Sequence, residues 1–380
     1  MSTGLFIFEC DLRLVDNNGL NGLSSICSDV YGAYVLECPT YKLAMGNAHL
    51  KSFINEQLMS IKNIVIVEKY SDVKKLAEKL GVDHVYMNKG YREIEGLNTL
   101  NTKLIHDGYL QPLGSVVNVS GEAYKKFTPF YMKARKRHVE KPNMTEVKLK
   151  KCSVKSKSLG KPHSHRLDAL KILASLKNYN VSTGLSQYIN QGCISVREAY
   201  HALENAAYRR ELYWRDFYAN VAMRWPQVFD GPFYAKYAKL KWVADKALFN
   251  KWCIGQTGVK QVDAAMRMLI QTGRMPNRLR LIVANYLVKG LFINWQWGEA
   301  HFAKYLIDFD QANNNGNWQW VASTGADAQP YFRTFNPYKI VHMDVIEKYC
   351  TKSEILRDES EDEIAHKEEV KKIINWYSKV

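Results

Sequence analysis

The feature of this 380-residue chain that most restricts its fold is a change in hydrophobic pattern along its length. In the first third, short apolar runs typical of buried strands lie at Leu5–Phe8, Tyr31–Leu36, Asn63–Val67 and His84–Met87. Between them, residues 41–60 and 71–80 carry apolar side chains at helical spacing, and Gly81 ends the second segment. This alternation predicts a parallel sheet covered by helices, a Rossmann-like α/β domain over residues 1–132. No Gly-x-Gly-x-x-Gly follows the first run, so a nicotinamide cofactor is not predicted.

Beyond residue 165 the strand pattern gives way to helical spacing. Helices are predicted at His165–Lys177, Val196–Asn205, Tyr208–Arg224, Val259–Gly273 and Asn277–Trp297. The last is apolar around most of its circumference, which places it in the centre of an all-α domain over residues 165–345. The C-terminal tail, 346–380, contains a charged stretch, 359–379, that predicts a surface helix. Its apolar side chains on one side are Ile364, Val370, Ile373 and Tyr377.

Residues 133–164, between the two domains, are basic and polar and contain proline. This composition predicts a surface linker, and both a solvated linker and contact with a DNA backbone remain open. His163 lies near the end of this segment and His165 directly after it, with no further ligand residues recognised near them, so a metal site is not expected.

The charge balance indicates either a polyanionic partner or a generally basic composition. The chain has 53 Lys and Arg against 38 Asp and Glu, a formal net charge of +15, and Lys and Arg that neutralise phosphates release condensed counterions. The seven cysteines are scattered without a Cys-x-x-Cys pair, which argues against a disulfide framework or a zinc site and for a reducing compartment. No signal peptide is recognised, and no apolar run reaches the roughly 18 residues of a membrane span. We therefore expect an intracellular protein, not secreted and not in a membrane.

One predicted helix concentrates chemically active side chains on a single face. Glu211, Trp214, Arg215 and Tyr218 are spaced i, i+3, i+4 and i+7. The face is either an exposed, salt-bridged surface or a binding site, in which Arg215 suits a diphosphate, Trp214 a stacked base and Glu211 the polar edge of a pyrimidine. Eight of the nine tryptophans lie between residues 214 and 320, more than core packing of a helical domain requires.

Residues 308–337 resemble the flavin-binding signature of photolyases and cryptochromes. The stretch begins Asp-Phe-Asp-Gln-Ala-Asn-Asn-Asn-Gly-Asn-Trp-Gln-Trp and ends Tyr-Phe-Arg-Thr-Phe-Asn-Pro. Further matches to this family lie at Glu211–Tyr218, Gly258–Arg267, Asn277–Arg280 and the opening Asp11–Asn17. The resemblance covers about residues 1–340 and is strong from about residue 182 onward.

The resemblance implies a noncovalently bound FAD. The cofactor-binding residues that it implies are Tyr179, Ser182, Thr183, Gly184, Leu185, Ser186, Arg215, Arg280, Asp308, Phe309, Asp310 and Asn314. The loop from Ser182 to Ser186 would hold the diphosphate with hydroxyl and backbone N–H groups. Gly184 stands where relatives usually carry Arg, so one phosphate contact is expected to be missing.

The same resemblance assigns roles around the flavin ring. Arg280 and Asp308 would form an ion pair against the isoalloxazine, and Asp310 would meet its pyrimidine edge. Asn314 would face flavin N5, where a neutral amide favours the reduced flavin. The implied catalytic residues are Glu211, Asn277, Asn314 and the three tryptophans of an electron relay from the surface to the flavin, Trp242, Trp295 and Trp318.

For the substrate, the resemblance implies DNA with ultraviolet-induced pyrimidine dimers. Photolyases are among the enzymes that flip their target out of the duplex, and excited, fully reduced FAD then donates an electron that splits the dimer. The DNA- and lesion-binding residues implied are Glu211, Trp214, Tyr218, Asn277, Arg278, Trp320, Arg333 and Lys339. Asn277 and Leu281 stand where relatives that repair (6-4) lesions carry histidines. Arg274 and Pro276 also depart from the usual residues beside the lesion.

We therefore predict a FAD-dependent lyase, a photolyase that repairs cyclobutane pyrimidine dimers and acts as a monomer. The alternative is a cryptochrome-type flavin photoreceptor with weak or no repair, and a third class is a flavin-free DNA-binding protein. The N-terminal domain is shorter than in relatives, and Ile94 stands where folate-binding relatives have an Asn contact. No stable antenna chromophore is therefore expected.

Overall fold

The computed structural model describes residues 2–94, 96–97, 100–154, 156–176 and 183–378. The chain divides into two compact units, Met1–Arg224 and Trp225–Val380, and each is described by itself. Residues 165–224 belong to the first unit in this division. The domain boundaries proposed from the sequence, after residues 132, 164 and 345, remain predictions.

The first unit contains a parallel sheet, as predicted. Among the described residues its strands are β1 (Thr3–Phe8), β2 (Asp29–Val35), β3 (Ile64–Val67), β4 (His84–Asn88) and β5 (Thr102–Ile105). Their order is β3-β2-β1-β4-β5, and every pairing is parallel. The central strand β1 is apolar and almost wholly buried because helices cover both faces of such a sheet. The edge strand β5 was not predicted, since Lys103 and Leu104 are exposed and its sequence lacks a buried apolar run.

The helices of the first unit follow the strands along the chain, and some of them carry predicted site residues. They are α1 (Asn18–Ser24), α2 (Pro39–Ala44), α3 (Ala48–Ser60), α4 (Tyr70–Leu80), α5 (Phe127–Ala134), α6 (His165–Ser175), α7 (Ser186–Asn190), α8 (Val196–Ala202) and α9 (Ala206–Arg224). The single helical segment predicted at 41–60 is in fact two helices, because Asn47 caps α3 by accepting a hydrogen bond from the Leu50 N–H. Gly81 ends α4 in the left-handed conformation, at φ 61°, as expected for a C-terminal glycine.

The opening motif Asp11–Asn17 supplies buried charges to the interior of this unit. Arg13 donates a hydrogen bond to Asp107. Arg197, on α8, contacts the carboxylates of Asp16 at 3.1 Å and Asp107 at 2.8 Å. All four side chains are at most 5% exposed. Removing one member would leave its partners as uncompensated buried charges, which costs about 3–5 kcal/mol, so this part of the family motif has a structural role.

The second unit is helical, as predicted, and its described residues form no strand beyond an isolated bridge between Val243 and Ile293. Its helices are α10 (Lys246–Ile254), α11 (Lys260–Thr272), α12 (Asn277–Asn285), α13 (Trp295–Tyr305), α14 (Gln311–Val321), α15 (Met343–Tyr349), α16 (Lys352–Leu356) and α17 (Ser360–Tyr377). Short 3-10 helices occur at Pro226–Phe229 and Ala235–Lys239.

The prediction of one continuous central helix at Asn277–Trp297 is wrong. After α12 the backbone widens into a π-helix, Tyr286–Gly290, and then leaves the helical path. Phe292 has a positive φ of 53°, and Ile293 pairs with Val243 before Asn294 caps α13. The apolar residues of this stretch are nevertheless largely buried, as their pattern indicated.

The C-terminal segment forms α17, but the prediction that it lies on the surface is only half right. Ile364 is 61% exposed, whereas Ile373 and Tyr377 are buried and pack with Leu240. The Tyr377 hydroxyl donates a 2.6 Å hydrogen bond to the Ala322 carbonyl. The last turns of the helix are therefore part of the core of the second unit. The side chain of Val370 lies outside the described residues.

Two further expectations can be compared with the structure. The seven cysteines are free thiols in the structure. Within the described ranges, no helix combines the length and apolarity needed to cross a bilayer.

Candidate functional site

In the first unit, α9 carries the predicted stripe of Glu211, Trp214, Arg215 and Tyr218 within one continuous helix. The Trp214 indole stacks on the Phe127 ring with centroids 3.6 Å apart and planes 7° apart. Tyr218 lies 5.5 Å from the indole at an angle of 30°. Phe127 therefore covers one face of Trp214, which limits the platform available to a base.

Glu211 is exposed, yet the protein around its carboxyl removes part of the water that would hydrate it. This desolvation raises the pKa of Glu211, against the attraction of Arg210. The Arg210 guanidinium lies over the rings of Phe127 and Tyr131, at 5.4 and 5.6 Å from their centroids. A carboxyl with a raised pKa can donate a hydrogen bond when protonated, which suits recognition of a carbonyl oxygen.

Arg215 makes specific contacts inside the first unit. Its Nη1 donates to the Gly108 carbonyl at 2.6 Å and its Nε donates to the Asn190 side chain at 3.2 Å. The guanidinium also lies 4.7 Å from the Tyr109 ring centroid. These contacts fix the guanidinium, and its binding to a diphosphate remains a prediction.

Asp216, next to Arg215 on α9, is a buried carboxyl that the sequence reading missed. It accepts a 2.9 Å hydrogen bond from the Leu110 N–H. Burial raises the pKa of Asp216 to about 7, despite the adjacent Arg215. An acidic residue on the face of α9 opposite the polar stripe was the only signal in the sequence.

The predicted phosphate loop is described in part. Tyr179 and Ser182 lie outside the described residues. Gly184 has a φ of 64°, and nothing lies within 4 Å of where a Cβ would be. This left-handed backbone suits glycine and not the Arg of relatives. The Leu185 N–H donates to the Thr183 hydroxyl at 3.3 Å, and Ser186 begins α7. The side-chain nitrogen of Gln187 is buried and has no hydrogen-bond partner among the described residues. An unused donor beside an open loop fits an anionic oxygen.

In the second unit, the predicted ion pair is present. Arg280 Nη2 donates to Asp308 Oδ2 at 2.8 Å, and the side chains are 28% and 6% exposed. Phe309 is buried beside Asp308. Asp310 caps α14, accepting a 2.8 Å hydrogen bond from the Asn313 N–H. The pair and the cap hold both carboxylates in fixed positions at the start of α14.

Asn314 is buried on α14 and its side-chain N–H donates to the Glu299 backbone carbonyl at 3.1 Å. The Glu299 carboxyl, which the sequence reading missed, accepts a 2.9 Å hydrogen bond from the Asn315 side chain. Burial raises the pKa of Glu299 to about 7, more than the Asn315 hydrogen bond lowers it. The helix turn around Asn314 is thus held by a carboxyl whose affinity for a proton is raised by burial.

Exposed cations lie over buried and half-buried aromatic rings in the same unit. Arg278 lies 4.9 Å from the Phe335 ring centroid, and Arg333 lies 5.9 Å from Trp320 and 5.8 Å from Phe335. Asn277, at the start of α12 and next to Arg278, is exposed. Lys339 is exposed as well, while its backbone carbonyl accepts a hydrogen bond from Gln261. This patch combines positive charge with the half-buried ring of Trp320, and such a combination is typical of nucleic-acid interfaces.

The three relay tryptophans differ in environment. Trp318 and Trp295 are each 2% exposed. Trp318 packs edge-on against Phe302 at 5.0 Å and Trp252 at 6.1 Å. Trp242 is half-buried and lies 4.8 Å from Trp376 of α17, a neighbour that the sequence did not indicate. Core packing accounts for part of this aromatic clustering, and the relay remains a prediction.

Comparison with known proteins places these features in context. Residues 208–371 match the family model described as the FAD binding domain of DNA photolyase. A deoxyribodipyrimidine photo-lyase from Escherichia coli is 31% identical over 406 residues, which cover 89% of this chain and 85% of that protein. The protein of the same name from Alkalihalophilus pseudofirmus is 35% identical over 271 residues, which cover 61% of this chain and 57% of its own length. The chain is also similar to an archaeal photolyase from Sulfolobus tokodaii solved with two FAD molecules. The TM-score is 0.83 and the sequence identity 27%, with full coverage of both chains.

A parallel α/β unit followed by a helical unit that matches a FAD-binding domain defines a class of two-part flavoproteins. The chain belongs to the photolyase/cryptochrome family. The family and fold predicted from the sequence are thereby confirmed. Within the second unit, the Arg280–Asp308 pair offers polar groups that fit a flavin ring. Within the first unit, the Gln187 side-chain nitrogen, without a partner among the described residues, offers a donor that fits a phosphate.

Proposed function

We propose that this protein is a DNA photolyase that uses FAD and light to split cyclobutane pyrimidine dimers. The observation that carries the proposal is the 2.8 Å Arg280–Asp308 pair in the same unit as the buried amide of Asn314, within the matched FAD-binding domain. FAD, when bound, supplies electron transfer from its light-excited reduced form. The protein supplies binding, orientation and electrostatics.

The residues of the second unit have separate tasks in this proposal. Arg280 and Asp308 hold the ring, and Asp310 meets its pyrimidine edge. Asn314, oriented by the Glu299 carbonyl, presents a neutral amide to the ring nitrogen that is protonated in the reduced cofactor. Trp318, Trp295 and Trp242 restore the reduced state by passing electrons inward from the surface. The loop from Ser182 to Ser186 binds the diphosphate, and Tyr179 is a further cofactor-binding residue.

DNA is bound first through its backbone. Arg278 and Arg333 are exposed on aromatic rings and face solvent, as does Lys339. The net charge of +15 favours a polyanion generally. Trp320, next to Arg333, offers a surface on which a flipped base stacks.

Lesion recognition rests on Glu211 and Asn277. Desolvation raises the pKa of Glu211. A flipped base over this side chain would remove more of its water, and the carboxyl would then donate to a pyrimidine carbonyl and steady the added electron. Asn277 supplies an amide where (6-4) enzymes carry a histidine, and Leu281 replaces the second histidine. The acid–base pair of (6-4) chemistry is absent at these two positions, which supports the cyclobutane dimer as substrate.

One observation favours the second candidate, a cryptochrome-type photoreceptor with weak repair. Phe127 covers a face of Trp214 at 3.6 Å, so less stacking surface is left for a base. In either case we propose a monomeric, intracellular protein without a stable antenna chromophore.

The test is repair by the chemically reduced, FAD-containing protein under light, followed as recovery of thymine absorbance. Oligonucleotides with a cyclobutane dimer, a (6-4) lesion or no lesion are compared in repair and in binding. We expect repair of the cyclobutane dimer alone. Efficient repair of the (6-4) lesion would show that the proposed substrate is wrong. Equal binding of damaged and undamaged DNA would favour the photoreceptor.

Variants separate backbone contacts from lesion contacts. Arg278→Ala should weaken damaged and undamaged DNA alike and reduce the salt slope by about one. Glu211→Ala and Asn277→Ala should each weaken only damaged DNA, by about 1–3 kcal/mol, because each removes a hydrogen bond to the flipped base. Lys352→Ala, an exposed cation on α16, is the charge-matched control and should change neither.

A further inference from the structure

A cluster of metal-binding side chains lies in the first unit where the polar segment enters α6. Ligand atoms of His163, His165 and Asp168 all lie within 4.8 Å of one another. His163 Nε2 is 2.6 Å and His165 Nδ1 is 3.9 Å from Asp168 Oδ2. Glu56, on α3, brings its Oε2 within 3.1 Å of His165 Nε2. The sequence-based expectation that the two histidines lack further ligands is therefore wrong.

The fold holds this cluster in place through backbone contacts with α3. The His163 N–H donates to the Glu56 carbonyl at 3.1 Å, and the His165 N–H donates to the Gln57 side chain at 3.0 Å. The His165 ring stacks on Phe53 with centroids 3.8 Å apart and planes 10° apart. Both imidazoles are thus oriented before any ligand arrives, which lowers the ordering cost of binding.

His165 is a buried imidazole whose two nitrogens face different groups. Its side chain is 10% exposed and the whole residue 8%. Nε2 lies 3.1 Å from Glu56 Oε2, and Nδ1 lies 3.9 Å from Asp168 Oδ2. Glu56 beside Nε2 favours a proton on that nitrogen, which leaves Nδ1 to coordinate a metal together with His163 and Asp168.

We infer that His163, His165 and Asp168 bind one Zn²⁺ ion, His165 through its Nδ1. Two imidazoles and a carboxylate suit this borderline cation, whose ligands lie about 2.0–2.2 Å from the metal and hence about 3.3 Å from one another in a tetrahedron. The separations of 2.6 and 3.9 Å between Asp168 Oδ2 and the two imidazoles bracket that value. The carboxylates of Asp168 and Glu56 oppose the positive charges nearby, which are Lys171 at 3.9 Å from Asp168 and the positive end of α6.

The site goes beyond light-dependent repair and does not depend on it. The three ligands belong to α6 and the residues just before it, and the His163 N–H contacts α3, so bound Zn²⁺ would fix the end of the polar segment against α3. An ion that binds only the folded state raises its apparent stability by RT ln(1 + [L]/Kd), where [L] is the free ion concentration. Thermal unfolding of the full chain should therefore shift upward with Zn²⁺, and chelation should reverse the shift.

The test is calorimetric titration of the tag-free, FAD-containing protein with ZnCl₂ near neutral pH. We expect one Zn²⁺ per chain. His163→Ala and Asp168→Asn change an exposed and a half-buried side chain, so folding should survive, and each should weaken Zn²⁺ at least about tenfold. His138→Ala, an exposed histidine of the same polar segment, is the matched control and should bind like wild type.

Three results would overturn the inference. They are an absence of Zn²⁺ binding by the wild type, binding retained in both ligand variants, and equal competition by MgCl₂ at equal concentration. Equal competition by Mg²⁺ would show that carboxylates alone bind the ion and that the imidazoles have no role, because Mg²⁺ prefers oxygen ligands.

Discussion

Glu299 offers a sharp test of how the second unit holds a buried carboxyl beside Asn314. Burial raises the pKa of Glu299 from 4.5 to about 7, against the hydrogen bond from Asn315. Between these two pH values the folded protein keeps a proton that the unfolded chain has lost. Because the folded-state pKa is raised, the folded state is favoured most below pH 4.5. Its stability then falls as pH rises towards about 7 and stays low above that value.

Glu299→Gln should remove this pH-dependent cost. The difference between pKa 4.5 and about 7 corresponds to about 3 kcal/mol at alkaline pH. The glutamine carbonyl can still accept from Asn315, while its new N–H group costs about 1 kcal/mol if it finds no acceptor. We therefore expect the variant to be about 2 kcal/mol more stable than wild type near pH 8.5. Near pH 5 the new donor should leave it equal or slightly less stable.

The assay is urea unfolding at both pH values, with wild type and variant at equal FAD content. The quantity of interest is the variant-minus-wild-type difference, in which other titrating groups cancel. Glu347→Gln, an exposed carboxylate on α15, controls for loss of charge and should give no difference at either pH. A variant that is destabilised equally at both pH values would refute the reasoning, since Glu299 would then be ionised and stabilising.

Three further predictions concern the same unit. Asp308→Ala should lower the flavin-to-protein absorbance ratio. It should also lower the free energy of unfolding by about 1–3 kcal/mol. This is less than the ~3–5 kcal/mol expected for a fully buried pair, because Arg280 is 28% exposed and can be hydrated. Full flavin content in that variant would contradict the assignment. Trp318→Phe should block photoreduction of oxidised FAD by an external thiol and spare repair after chemical reduction, and photoreduction at the wild-type rate would place the electron path elsewhere. Burial lowers the pKa of Lys289 to about 7, helped by Arg333, so wild-type stability should rise as pH increases from about 7 towards 10.5. Lys289→Met should abolish that rise when urea unfolding is measured over a series of pH values. A variant whose stability still rises with pH as in wild type would refute the role of Lys289.

The α/β sheet was predictable because its inner strands are buried on both faces. Leu5, Ile7 and Val35 are wholly buried, so each inner strand appears in the sequence as a short apolar run. The edge strand β5 has one neighbour and exposed side chains, so the same rule could not find it. The flavin-binding motif was predictable for another reason, since it is contiguous and its capping and ion-pair residues lie within one short stretch.

The break after α12 was not predictable from periodicity. The residues from Tyr286 to Ile293 are apolar enough to continue a buried helix, and burial alone does not distinguish a helix from a π-helix followed by a bridge. What decides the backbone here is the pairing of Ile293 with Val243, a contact between residues distant in sequence. Phe292 accepts a positive φ of 53° to allow it.

The missed ligands of the proposed zinc site show the same limit in chemical form. His163, His165 and Asp168 are close in sequence, but their spacing is not one of the familiar metal-binding patterns and was passed over. Glu56 is on a helix of the α/β unit, and only the fold brings it to His165 Nε2, where it orients the ring. A ligand set whose supporting carboxylate comes from a distant segment has only part of its signature in the local sequence. The rest follows from what the fold places around the imidazole, here one carboxylate beside each nitrogen.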